Sequence, residues 1–196
     1  MKYYSFRKWP KDDKPSFKYG EESVNSISGK LDWVFYNLPK EVTTKEWKQV
    51  TIPANINIKL DNEQSLSISI ESGAQFRTTS NSLLNVNKWD SVVFNTYIAK
   101  GKYKVISVAN PTKKKTIEWE VDWEKKTAEV DEWYAWKYWK DDIPEVEIIK
   151  NKKWEFVSAD DSEANDFFIT KLKEKFSGSS NVQSESPEVS IEDVPF

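Results

Sequence analysis

Cations and aromatic rings recur side by side along this chain. Arg7-Lys8-Trp9, Phe76-Arg77, Lys88-Trp89 and the group Lys100, Lys102, Tyr103 and Lys104 each set a positive charge beside a ring. Tyr97 lies just upstream of the last group, and Lys113-Lys114-Lys115 form a cationic run. The chemistry these side chains offer is noncovalent. An ammonium or guanidinium group neutralises a phosphate, and a flat ring stacks on a flat heterocycle, which together are what binding a single nucleic-acid strand requires. Arginine occurs only as Arg7 and Arg77. That shortage favours attraction to a phosphate backbone over the bidentate reading of base edges.

Catalysis has little to work with. With 0 His and 0 Cys, the commonest general base and the thiolate nucleophile are both missing. Glu118, Glu120 and Asp122 alternate on one face of an expected strand, a spacing that a solvated strand face explains. No Gly-rich phosphate loop is present among 5 glycines. The chain is therefore expected to be no enzyme and to need no cofactor or metal.

The elements that must carry these groups read mainly as strands. Leu31, Trp33 and Phe35 alternate, as do Ile56, Ile58 and Leu60, and Leu66, Ile68 and Ile70, with Asp61-Asn62-Glu63 as a turn. Ser91 to Ile98 and Lys102 to Val108 form two further β-rich runs, and Ile117, Trp119, Val121 and Trp123 share one strand face. Residues 39–48 suit a short helix capped by Thr43 or Thr44, and Lys113 to Lys115 suit a loop after Pro111. Val146 to Ile149 and Trp154 to Val157 pair as a hairpin across Lys150 to Lys153. Ser162 to Phe176 is a helix, with Asp160, Asp161 and Glu163 at its start, Lys171, Lys173 and Lys175 near its end, and Gly178 to stop it. Its buried face is Phe168, Leu172 and Phe176, with Phe167 beside them. Trp133, Tyr134, Trp136, Tyr138 and Trp139 crowd an acidic stretch that suits a hydrophobic lid or a self-association surface, as helix or as strand.

The fold class expected is mainly β, a β-rich α+β domain. A small OB-like barrel with a C-terminal helix is the natural candidate, although periodicity leaves a sandwich open. Three segments follow: a basic aromatic arm over residues 1–20, where Pro10 and Pro15 disfavour a helix; a β domain over 21–176; and a tail over 177–196. Charge divides along similar lines. Residues 1–126 hold 21 Lys and Arg against 15 Asp and Glu, residues 127–176 hold 8 against 13, and the tail holds 0 against 4. A body that meets an anion and an acidic end that does not would show this polarity. No apolar run reaches the roughly 18 residues of a membrane span and no signal peptide is evident, so a cytoplasmic protein without membrane contact is expected.

The tail is rich in Ser, Pro and acid, a composition that resists folding. It closes on an acidic-apolar tip, Ile191, Glu192, Asp193, Val194, Pro195 and Phe196. An aromatic anchor beside two carboxylates suits a partner pocket with a basic rim. This tip resembles the C-terminal peptide of bacterial and phage single-stranded-DNA-binding proteins, which ends in an acidic run, an aliphatic residue and Pro-Phe. Asp193-Val194-Pro195-Phe196 match that pattern, with Val194 where isoleucine is commoner. The resemblance implies a bacteriophage protein of DNA replication, recombination or repair in the bacterial cytoplasm. Its body would bind single-stranded DNA, its tail would recruit replication and repair proteins, and a homo-oligomer is allowed. Two rival readings stand beside it: a carbohydrate-binding β-sandwich, because exposed rings also stack on sugars, and a phage protein that binds a host factor without touching DNA.

Overall fold

The computed structural model describes residues 1–6, 17–43, 48–99, 103–121, 123–154 and 156–176. The protein is mainly β with two helices. A nine-stranded mixed sheet is built from β1 (Lys2–Phe6), β2 (Phe17–Tyr19), β3 (Glu22–Val24), β4 (Ser26–Asn37), β7 (Asn55–Leu60), β8 (Gln64–Ser69), β9 (Ser91–Ala99), β10 (Tyr103–Val121) and β11 (Glu124–Trp133). Their order is β11-β10-β9-β4-β7-β8-β1-β2-β3. Every neighbouring pair is antiparallel except β1 and β8, which run parallel. Within the N-terminal stretch, Lys2–Phe6 and Phe17–Tyr19 are strands of the sheet, and Tyr4 and Phe17 are buried in the core.

An OB-like closed barrel is not what these strands build. β11 and β3 are the two ends of the sheet, and among the described residues no strand bridges them. β3 has only three residues and β11 belongs to a projecting ribbon, so neither end offers the other a partner.

β4 is the hinge of the architecture. Ser26 to Lys30 pair with β9, whereas Leu31 to Asn37 pair with β7. At the changeover the register with β7 shifts between Leu31 and Trp33. Asp32 is the extra residue, and a bulge of this kind flips the alternation downstream. Ile27 and Leu31 face the core before it, Val34 and Tyr36 after it. The plain alternation Leu31, Trp33, Phe35 expected from sequence is broken there, and Trp33 and Phe35 turn to the other face.

On the inner face, Val34, Ile58, Leu66 and Tyr4 align across four strands, and Ile27, Phe94 and Val108 across three. Helices α1 (Ala74–Leu83) and α2 (Ser162–Phe176) add Phe76, Leu83, Phe168, Ile169, Leu172 and Phe176 to this core. The α2 range matches the sequence expectation, and its first N–H is served by Asp160, which accepts from Ser162 N at 3.0 Å and from the Ser162 hydroxyl at 2.6 Å. Those bonds hold the Asp160 carboxyl below its ordinary range. A hairpin of β12 (Glu147–Lys150) and β13 (Phe156–Asp160) forms where one was expected, but its strands are displaced: Lys150 belongs to β12, and β13 starts at Phe156, two residues after Trp154.

Two local expectations fail. The stretch expected as a helix from residue 39 opens instead as β5 (Lys40–Thr43), paired with β6 (Gln49–Ile52) through facing Val42 and Val50; β-branched pairs favour that pleated arrangement. Residues 44–47 lie outside the described ones. The lysine run does not sit between strands but inside β10, where the register with β11 shifts between Asn110 and Lys114. Pro111 to Lys113 leave the ladder, which is where a strand tolerates proline. Lys114 and Lys115 rejoin it.

The aromatic segment after β11 is neither helix nor strand but a strap across α1. Asn81, nearly buried, receives Lys137 N and Tyr138 N on its Oδ1, both at 2.9 Å, and donates to Tyr138 O at 2.8 Å. Asn85 donates to Ala135 O at 2.9 Å. The Tyr134 hydroxyl donates to Ser91 O at 3.2 Å, and burial, followed by the Asp90 charge, pushes its ionisation up. Tyr134 and Tyr138 pack on the core, while Trp133, Trp136 and Trp139 stay exposed.

Candidate nucleic-acid interface

The outer face of the sheet carries a pattern unlike the inner one. One row across β4, β7, β8 and β1 reads Trp33, Lys59, Ser65, Tyr3. The next reads Phe35, Asn57, Ser67, Ser5, Lys18. Rings and ammonium groups are separated by small polar side chains. Tyr3 and Phe35 are exposed, and Trp33 is half-buried. The helices pack on the opposite face, with the core.

The densest part of this face lies at the β4 bulge. The Asp32 carboxylate meets Lys59 Nζ at 3.0 Å and Lys88 Nζ at 3.5 Å. The Lys88 ammonium sits over two indoles, 5.2 Å from the Trp33 ring centre and 5.1 Å from that of Trp89. Trp89 is 56% exposed. Its φ is 71°, a left-handed conformation that non-glycine residues seldom adopt. Two backbone bonds fix it there: Trp89 N donates to Leu31 O at 2.7 Å, and Leu31 N donates to Asp90 O at 2.9 Å. Asn87 N closes the same turn on Asp90 Oδ2 at 2.8 Å. Strain of this kind persists only where surrounding bonds over-determine it. Two ammonium groups share the Asp32 carboxylate beside two stacking surfaces.

The residues singled out from sequence distribute unevenly. Lys88 and Trp89 fall in this cluster. Tyr97 is also exposed, but it stands six residues along β9 from Ser91, on the order of 20 Å away at the rise of a strand. Phe76 is fully buried in the core and offers no stacking face. Arg77 faces α2, where its guanidinium pairs with Asp161 and donates to Asn165 Oδ1 at 3.1 Å. Lys113, Lys114 and Lys115 are exposed on β10, and Lys114 is paired with Asp131. Tyr103 and Lys104 belong to β10, with only their backbones described. Arg7, Lys8, Trp9, Lys100, Lys102 and the tip from Ile191 to Phe196, with Glu192, Asp193, Val194 and Pro195 between, lie outside the described residues, as does Gly178.

Trp33, Lys59 and Phe35 were not among those residues, whereas Tyr3 and Lys18 belong to the stretch read as a basic aromatic arm. The Lys88-Trp89 adjacency was the only local signal for the cluster. Its other members come from strands distant in sequence and from a bulge that alternation hides.

A second concavity lies on the helix side. A pocket of about 220 Å³ between α1, the strap and α2 is lined by Trp136, Tyr138, Ile143, Val146 and Phe168, with Arg77 and Lys140 among its polar members. Among the described residues no group of His, Cys, Asp and Glu could hold a metal ion, and no helix is long and apolar enough to cross a membrane. Comparison of the chain with family models, with curated proteins and with solved structures finds no match.

Proposed function

We propose that this protein binds single-stranded DNA without sequence preference, through the helix-free face of its sheet, and that its C-terminal tip recruits replication and repair proteins of an infected bacterial cell. The observation that carries the first half is the Lys88 ammonium lying over the Trp33 and Trp89 rings and sharing the Asp32 carboxylate with Lys59, which is 3.0 Å from it. A phosphate entering there would compete with Asp32 for two cations, while flanking bases stack on the indoles. An open sheet face would serve in place of an OB groove. Base-edge readout is not part of the proposal, because Arg77 is engaged with Asp161. The tail assignment rests on the resemblance of Asp193-Val194-Pro195-Phe196.

Fluorescence titration with dT oligomers tests it. Stacked bases quench indole emission, so quenching is expected, with affinity falling steeply as salt rises. Unchanged emission and no gel shift at low salt would refute DNA binding. Quenching by oligosaccharides instead would favour the carbohydrate-binding alternative.

A further inference from the structure

The far part of the β10–β11 hairpin stands alone. β9 pairs with β10 only from Tyr103 to Ala109. Beyond the bulge, Lys114 to Val121 pair with Glu124 to Asp131 and with no other described strand. A two-stranded ribbon is marginal in water, and three or more strands with an apolar face are needed for stability. This ribbon has half of what it lacks. Register places Ile117 opposite Ala128, Lys115 opposite Val130 and Trp119 opposite Lys126, so Ile117, Trp119, Ala128 and Val130 share one face. Trp119 is 42% exposed.

The outer edge of β11 is open for ten residues. It carries neither Pro nor Gly, and the bulge in this hairpin lies on β10. Such an edge is a template for another strand. Its charge order selects which one. β11 opens on Glu124, then carries Lys125 and Lys126, and ends acidic, with Glu129, Asp131 and Glu132. A parallel copy would set like charges together. An antiparallel copy sets Lys125 and Lys126 of each strand against the acidic half of the other.

We propose that β11 is a homodimer interface, in which two copies pair antiparallel about a twofold axis near Ala128. Each Lys125 then faces Asp131 of the partner subunit, and the one like pair, Glu124 against Glu132 of the partner subunit, falls at the ends of the seam beside Lys125 and Lys126. Each Lys126 faces Val130 of the partner subunit, diagonal to the partner's Glu132. The two ribbons become a four-stranded sheet whose apolar rows meet at Ala128. This assignment is independent of what the protein binds.

The full chain lacks cysteine, so a single introduced thiol reports position cleanly. Sedimentation of the parent should give a dimer. Lys125→Glu with Lys126→Glu should raise its dissociation constant on the order of tenfold or more, because each opposed charge pair is lost twice. Both residues are exposed, so circular dichroism should be unchanged. Ala128→Cys should form a covalent dimer under mild oxidation or with a short thiol crosslinker, and Thr116→Cys, on the inner strand of the ribbon, should not. A parent that sediments as a monomer throughout overturns the proposal. So does a dimer that survives charge reversal intact and fails to crosslink at position 128.

Discussion

Trp89 spends conformational energy to hold its ring outward. Its φ of 71° is imposed by the paired bonds to Leu31 and Asp90, and a left-handed non-glycine residue costs about 1 kcal/mol or more. Trp89→Gly removes that strain together with the ring. Thermal denaturation should show no loss of stability, whereas affinity for dT oligomers should fall by about 1–3 kcal/mol, the worth of one stacked base. Loss of both together would mark the indole as structural. Glu22 offers a second residue-level test. Its carboxylate accepts from Lys2 Nζ at 2.6 Å and from the Tyr4 hydroxyl at 2.7 Å. Those bonds, the Lys2 bond first, hold Glu22 below the ordinary glutamate range. A depressed carboxyl stabilises the fold above its unfolded value and loses that contribution as pH falls through its folded value. Acid titration should therefore lower the melting temperature in that window for the parent, and less so for Glu22→Gln. An identical acid slope in both would remove Glu22 from the account.

At the scale of elements, the strap over α1 hangs on Asn81. Its side chain makes three bonds to the backbone of Lys137 and Tyr138. Asn81→Ala strands those groups in a nearly buried site. A loss of about 2–3 kcal/mol is expected in a denaturant titration, with a more accessible pocket at Trp136. A change within about 0.5 kcal/mol would mean that the strap is held by Tyr134 and Tyr138 packing alone. Asn81 also explains why α1 was hard to read. Its sequence, Ala74-Gln75-Phe76-Arg77-Thr78-Thr79-Ser80-Asn81-Ser82-Leu83, is rich in residues of modest helix propensity. Thr79, Ser80 and Ser82 are buried there despite being polar, so no apolar stripe announces the helix. By contrast α2 was legible, because Phe168, Leu172 and Phe176 keep helical spacing and acid precedes them. The β12–β13 hairpin was legible as two short β-rich runs about a lysine-rich turn, although its second strand begins later than the apolar run suggested. The bulge at Asp32 was not, since only the β7 register reveals it. Proline and lysine together disguised the bulged stretch of β10 as a loop.

For the whole molecule, the polarity of charge bears on the tail. Residues 177–196 carry Glu185, Glu188, Glu192 and Asp193 and no cation. Their removal should leave the fold intact and should maintain or raise DNA affinity, because four negative charges leave a body whose first 126 residues are net positive. Weaker binding by the truncated chain, measured in the same titration, would count against the electrostatic part of the proposal. Removal of Phe196 alone should spare DNA binding and abolish capture of replication or repair proteins from host lysate. Identical partner sets for parent and variant would leave the resemblance of the tip without functional weight.

The division of β4 between two neighbours also governs cooperativity. One half of this strand closes on β9, more than sixty residues downstream, and the other closes on β7. The two halves of the sheet therefore share a single continuous piece of backbone, and neither can come apart without releasing it. Native-state amide exchange should find the central amides of β4 among the slowest, opening only with global unfolding. The distal β10–β11 ribbon should exchange far sooner in the isolated monomer. Refolding should be slow for a chain of this length, because its central strand waits on contacts distant in sequence.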